Sequence, residues 1–205
     1  SAQALSNLDI DVFLGKGQFS NPNTISVGNN TLAFKKAVVA TGTRPNHPPI
    51  EGLLETGFLT NETVFSLTKL PTRLAVIGGG PVGCELAQSF RRLGSEVTLI
   101  EIGPQLLPLE YSEAAALLSE QFIREGIDIK LATNTIRVVS SNEQKVLHLK
   151  SQTTECQLPV DEILVGVGRS PNIDNLNLEI AGIRYNQQGI QVNDYLQTTN
   201  PQIYA

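Results

Sequence analysis

An α/β fold built on a parallel sheet is predicted by three features of this 205-residue sequence. A wholly apolar run, "LAVI", leads into the glycine cluster "GGGPVG", which opens a stretch with helical spacing. A second apolar run, "EVTLIE", comes next, then a second helical pattern and the short strand "IDIKL". Around this core, short apolar runs broken by turn residues predict small antiparallel strands at both ends of the chain.

Taken in order, residues 8–40 alternate "LDIDVFLGKGQF", "NTISVGNNTLAF" and "KKAVVATG". "VGNNTL" is a hairpin signal because Gly and Asn tolerate positive φ. The segment 37–40 is expected as a buried strand. Residues 43–71 are punctuated by Pro and Gly and read as a connector with one short helix near 61–67. From Thr72 the period changes. A continuous apolar strand is the mark of burial on both sheet faces. Pro81 suits the first position of a helix, where its missing N–H costs nothing. Val82, Leu86, Phe90 and Leu93 are expected on its inward face, with Gly94 as its stop. A second helix is expected over 111–125, with Ala114, Leu118 and Phe122 inward and Gly126 ending it. The resulting βαβαβ order implies a parallel sheet with right-handed crossovers. "TIRVVSS", "KVLHLKS" and "ECQL" then predict a strand meander, followed by the apolar strand "EILVGVG" and a polar, loop-rich tail.

Composition excludes several classes. A formal net charge of −5, with only two adjacent basic pairs, does not supply a phosphate track for nucleic acid or a patch for acidic membranes. No apolar run reaches the roughly 18 residues of a spanning helix. The two cysteines, Cys84 and Cys156, lie far apart and form neither a disulfide framework nor a metal-ligand spacing. This usage suits a reducing, cytoplasmic setting. The chain starts at Ser1 and contains no Met, which raises the expectation that it is an excerpt of a longer protein.

The chemistry-bearing motif is Gly78-Gly79-Gly80-Pro81-Val82-Gly83, a match to G-x-G-x-x-G. Alone the pattern is weak. Here it follows a buried strand and opens a helix, the context of a Rossmann-like dinucleotide site. Gly78 permits the tight turn, Gly80 lets a pyrophosphate approach the backbone, and Gly83 lets helix and strand pack closely. The helix N-terminus favours an anion there. Glu101 ends the second strand about 20 residues beyond Gly80, where an acid accepts hydrogen bonds from the adenosine ribose. No Lys or Arg occurs between Arg92 and Arg124 to receive a 2′-phosphate, so the expected cofactor is NAD(H). Cys84, early in the helix, reads as core. Glu85 is open to two readings: a first-turn acid favoured by the dipole, or a group beside the nicotinamide. His47 and His148 lack any partner constellation and read as structural. No metal site is expected.

Four ordered segments go beyond a generic Rossmann-like unit: "VVATGTRPNHPPIEG", "AVIGGGPVGCELAQSFRRLGSEVTLIE", "ILVGVGRSPNIDNLNLEIAGI" and "TTNPQIYA". Together they resemble the FAD-dependent pyridine nucleotide-disulfide oxidoreductases, in their dihydrolipoyl dehydrogenase and mercuric-reductase-like branch. The resemblance implies an NAD-binding domain inserted into an FAD-binding domain. On this chain it assigns 1–45 to the end of a first FAD segment, 46–71 to a connector, 72–168 to the NAD domain and 169–205 to the returning FAD segment. By position, Gly78, Gly80, Val82, Gly83, Glu101 and Gly168 resemble NAD contacts, with Ile136 a backbone candidate. Gly17, Thr41 and Gly42 resemble FAD contacts. Glu85 matches the family's acid near the nicotinamide. The resemblance also implies hydride transfer from NADH to FAD and onward to a disulfide or small-molecule acceptor, in a full-length homodimer. The family's redox cysteines and acid–base pair have no counterpart in these residues, so no catalytic nucleophile is expected within the chain. Two other readings remain: a non-catalytic NAD-binding module, and an NADH:acceptor flavoenzyme without redox cysteines.

Overall fold

The computed structural model describes residues 5–141, 144–152 and 154–205. By internal contacts the chain divides into two compact units, Pro45–Arg169 and a second one made of the described residues up to Arg44 with Ser170–Ala205.

The first unit holds a four-stranded parallel sheet ordered Glu162–Val165, Arg73–Ile77, Glu96–Ile100, Asp128–Lys130. Helices Pro81–Leu93 and Ser112–Arg124 are the crossovers between its last three strands. Strand alternation explains why "LAVI" carries no polar residue. Leu74 and Val76 enter a core shared with Cys84, Ala87, Phe90 and Phe122 of the helices. Ala75 and Ile77 enter a second core with Val138, Leu147 and Leu149. That second core belongs to the antiparallel meander Asn134–Ser141, Gln144–Lys150, Glu155–Val160, which covers the sheet face opposite the helices.

Leu86 and Phe90 of the first helix and Leu118 and Phe122 of the second face the core as expected, while the other expected positions do not. In Pro81–Leu93 the buried residues are Gly83, Cys84, Ala87 and Phe90, while Val82 and Leu93 are exposed. The cause is the close approach of Gly83 to the sheet, which brings the small residues at 83, 84 and 87 inward. In Ser112–Arg124, Ala115 rather than Ala114 is buried, with Phe122 below it. The two helices are clasped by charge: the Arg92 guanidinium donates to Glu125 at 2.9 and 2.7 Å, and Gln88 and Gln121 donate to the same carboxylate. This holds the Glu125 carboxyl down at about 2, below its ordinary 4.5, chiefly through the Arg92 hydrogen bonds and then Gln121.

The connector departs most from expectation. The helix expected near 61–67 is a three-residue 3-10 turn, Val64–Ser66. A helix not expected lies at Leu53–Thr56, with Leu53 fully buried against the meander. The Thr63 hydroxyl accepts from Thr60 N–H at 2.9 Å, a side-chain contact that favours a turn over continued helix. Just before it, Leu59 bridges to Leu164 at the sheet's edge, which pins the chain in an extended form.

In the second unit, Gly17–Asn21, Thr24–Val27 and Asn30–Ala33 form an antiparallel sheet. Val27 faces Asn30 across the turn, and Gly28 there takes φ +57°. The buried strand expected at 37–40 is only Ala37–Val38, paired in parallel with Ile203–Tyr204. Ala37 and Val39 pack on the core of Phe19, Leu178, Ala181, Ile183 and Ile203, while Val38 is 71% exposed. Alternation along an extended chain accounts for this, so the apolar run is buried on one face only.

Candidate functional site

The glycine turn follows directly from close packing. Gly78 takes φ +109°, and a Cβ there would stand 2.5 Å from the Gly166 carbonyl oxygen. A Cβ at Gly83 would stand 1.9 Å from the Gly78 carbonyl oxygen. Any larger residue at either place drives the strand, turn and helix apart. Gly80 differs: a Cβ there meets nothing within 4 Å, so its face is open toward the cavity it lines. Pro81 occupies the first turn of the helix, whose leading N–H groups have no partner within the helix. An open glycine beside such a helix start presents backbone donors to an anion.

Glu101 sits beside this turn, and the structure adds to what its position suggested. The residue is only 8% exposed. Gly79 N–H donates to Oε2 at 2.6 Å, and Gly103 N–H donates to Oε1 at 2.7 Å. The acid therefore ties the turn after the first strand to the turn after the second. Gly79 is held on its other side as well: its carbonyl accepts from Leu107 N–H at 2.8 Å and from the Cys84 thiol at 3.3 Å. Burial, with Glu101 and then Glu85 adding to it, pushes the Cys84 thiol up to about 11. The thiol is protonated near neutral pH and buried, which agrees with its reading as core.

A cavity of about 760 Å³ opens over these residues. It is lined by segments 48–50, 77–78, 80–81, 100–102, 107–110, 133–136 and 166–168. Of the expected NAD residues, Gly78, Gly80, Glu101, Ile136 and Gly168 line it. Gly83 packs beneath the turn. Val82 and Glu85 lie exposed on the helix, outside the lining. Glu101 and Glu110 are its charged lining residues, and no lysine or arginine is among the described lining.

Sequence reasoning missed the walls. Pro48, Pro49 and Ile50 come from the connector, and Leu107, Pro108, Leu109 and Glu110 from the loop after the second strand. Gln105 braces that loop, its amide donating to the Glu110 carbonyl at 3.2 Å, and Leu107 within it takes φ +48°. The run "LLPLE", beginning five residues after Glu101, was the available signal. His47 packs edge-on against Phe58 at 5.4 Å, and His148 is mid-strand in the meander.

The expected FAD residues all belong to the other unit. Gly17 begins the Gly17–Asn21 strand. Thr41 and Gly42 form a turn fastened to Asn172: the Thr41 hydroxyl donates to the Asn172 carbonyl at 2.6 Å, and Asn172 N–H donates to the Gly42 carbonyl at 2.9 Å. Among the described residues, no group of three or more His, Cys, Asp or Glu is placed to hold a metal, and no helix is long and apolar enough to cross a membrane.

Comparison with known proteins agrees with this architecture. The family model described as "Pyridine nucleotide-disulphide oxidoreductase" matches residues 3–205. A dihydrolipoyl dehydrogenase of Thermus scotoductus is 38% identical over all of this chain and 45% of its own length. A mercuric reductase of Lysinibacillus sphaericus is 35% identical over 98% of this chain and 37% of its own. Among solved structures, the HOCl-induced flavoprotein disulfide reductase RclA from Escherichia coli aligns with a TM-score of 0.89 at 33% identity, covering 98% of this chain and 46% of that one. The chain thus spans less than half the length of these relatives.

Proposed function

Because the chain belongs to the pyridine nucleotide-disulphide oxidoreductase family, we propose that it is the NADH-binding portion of a flavoprotein oxidoreductase acting on a disulfide or other small-molecule acceptor. The observation that carries this reading is the meeting of Gly78, Gly80, Pro81 and Glu101 on one cavity with no cationic residue among its described lining. NADH supplies a hydride that FAD accepts in such enzymes. In this chain, the N–H of Gly80 and the N–H groups of Val82 and Gly83 that follow Pro81 would receive the pyrophosphate. Glu101 has lone pairs left for the ribose hydroxyls after its two backbone bonds. Ile136 and Leu109 offer apolar surface to the adenine, and Gly168 lines the same cavity. Glu85, exposed on the first turns of the helix, is the group assigned to the nicotinamide side. Gly17, Thr41 and Gly42 are assigned to flavin through their backbone.

Isothermal titration of the chain with NADH and NADPH tests the reading. Saturable NADH binding with much weaker NADPH binding is the expected result. A preference for NADPH, or no binding of either, overturns it. The flavin assignment is tested separately by adding FAD to the full-length protein carrying Gly42→Val, which is expected to lower flavin content.

A further inference from the structure

Two threonines on the cavity wall are buried, and they differ in what their hydroxyls meet. Thr133 is 8% exposed and Thr135 4%. The Thr133 hydroxyl donates to the Leu131 carbonyl at 2.8 Å. The Thr135 hydroxyl is closed off from water and has no hydrogen-bond partner among the described residues. A buried hydroxyl left unpaired costs more than an ordinary hydrogen bond contributes, and valine has the same shape without that cost. The register of the strand adds a second observation. Thr135 stands opposite Leu149 and Arg137 opposite His148, so Ile136 between them has no residue facing it. That is a β-bulge, which bends a strand and re-aims the side chains beside it. It falls where the strand borders the cavity, since Asn134, Thr135 and Ile136 line it and no later residue of the strand does.

Resting on the NADH reading above, we infer that Thr135 is a further binding residue of the cavity, whose hydroxyl turns to pair with a polar group on the adenosine half of the dinucleotide. Rotation about the Thr135 Cα–Cβ bond moves the hydroxyl between staggered positions without moving the backbone. The hydroxyl both donates and accepts, so it matches either kind of partner on the ligand. Its neighbours set which half of the ligand it meets. Thr133 N–H donates to the backbone carbonyl of Glu101, the acid assigned to the ribose, at 3.0 Å, and Ile136 is assigned to the adenine. The free protein carries the cost of the unpaired hydroxyl, and ligand binding removes it.

The experiment titrates the chain and its Thr135→Val and Thr135→Ser variants with NADH and with ADP-ribose, after a thermal melt of each. Thr135→Val is expected to melt at or above the temperature of the unaltered chain and to lose about fivefold or more in affinity for both ligands, the worth of one hydrogen bond. Thr135→Ser gives up a buried methyl and is expected to melt lower, yet to keep both affinities within about twofold. Stability and affinity thus move in opposite directions, which a purely structural threonine would not produce. Unaltered affinity in Thr135→Val, an equal loss in Thr135→Ser, or a loss confined to NADH with ADP-ribose unaffected overturns the inference. Absence of NADH binding by the unaltered chain overturns the NADH reading and this inference together, whereas normal binding that Thr135→Val leaves unmoved overturns the inference alone.

Discussion

The two units of the chain solve the burial problem differently. In Pro45–Arg169 the strands Arg73–Ile77, Glu96–Ile100 and Glu162–Val165 put residues into both the helix-side and the meander-side core, and Leu74, Ala75 and Val76 are all fully buried. In the other unit the largest sheet has three short strands, and one core gathers Phe19, Leu178, Ala181, Ile183 and Ile203. The first unit is one continuous stretch of sequence, whereas the second is assembled from two stretches far apart in the chain. The continuous stretch supplies both covers of its sheet, the helices on one face and the meander on the other. The difference teaches that the glycine turn at 78–83 draws its close contacts from one unit, from Gly166, Glu101 and Leu107.

Gly83→Ala is the strongest challenge to that claim. With the Gly78 carbonyl 1.9 Å from the new Cβ, the variant is expected to lose about 3 kcal/mol of stability and measurable NADH binding. A thermal melt and an NADH titration check both. Retention of wild-type affinity would show that the turn yields freely.

A pH series examines the clasp between the two helices. The folded carboxyl of Glu125 lies at about 2 against an ordinary 4.5, so its contribution is present above pH 4.5 and is lost as pH falls toward 2. Glu125→Gln is expected to flatten the decline of melting temperature across that window while leaving the neutral-pH NADH affinity within twofold. An unchanged acid slope would remove the clasp as the source.

Thr135 lines the cavity with a buried hydroxyl that has no hydrogen-bond partner among the described residues. Thr135→Val keeps the shape and removes the unsatisfied group, so it is expected to stabilise the first unit by about 1 kcal/mol in urea unfolding. A loss of that size would show that the hydroxyl is satisfied in solution. The smallest effect belongs to the second unit. Thr41→Val removes the hydroxyl that holds Asn172 and is expected to change NADH affinity by less than twofold. A larger change, measured by the same titration, would break the independence of the two regions.

The strand–turn–helix at 73–93, the acid at 101 and the meander were legible in the sequence because each is written in a short window. Strand burial shows as a continuous apolar run, and glycine spacing reports close approach between elements that are neighbours in the chain. On the first helix Leu86 and Phe90 face the core as read but Val82 and Leu93 do not, because Gly83 sets how closely the helix start meets the sheet and periodicity alone does not register it. The wall formed by residues 48–50, the helix at Leu53–Thr56 and the backbone donors on Glu101 were decided by tertiary structure alone. They depend on segments tens of residues apart arriving at one place, and on backbone N–H groups that every sequence carries without marking where they will point.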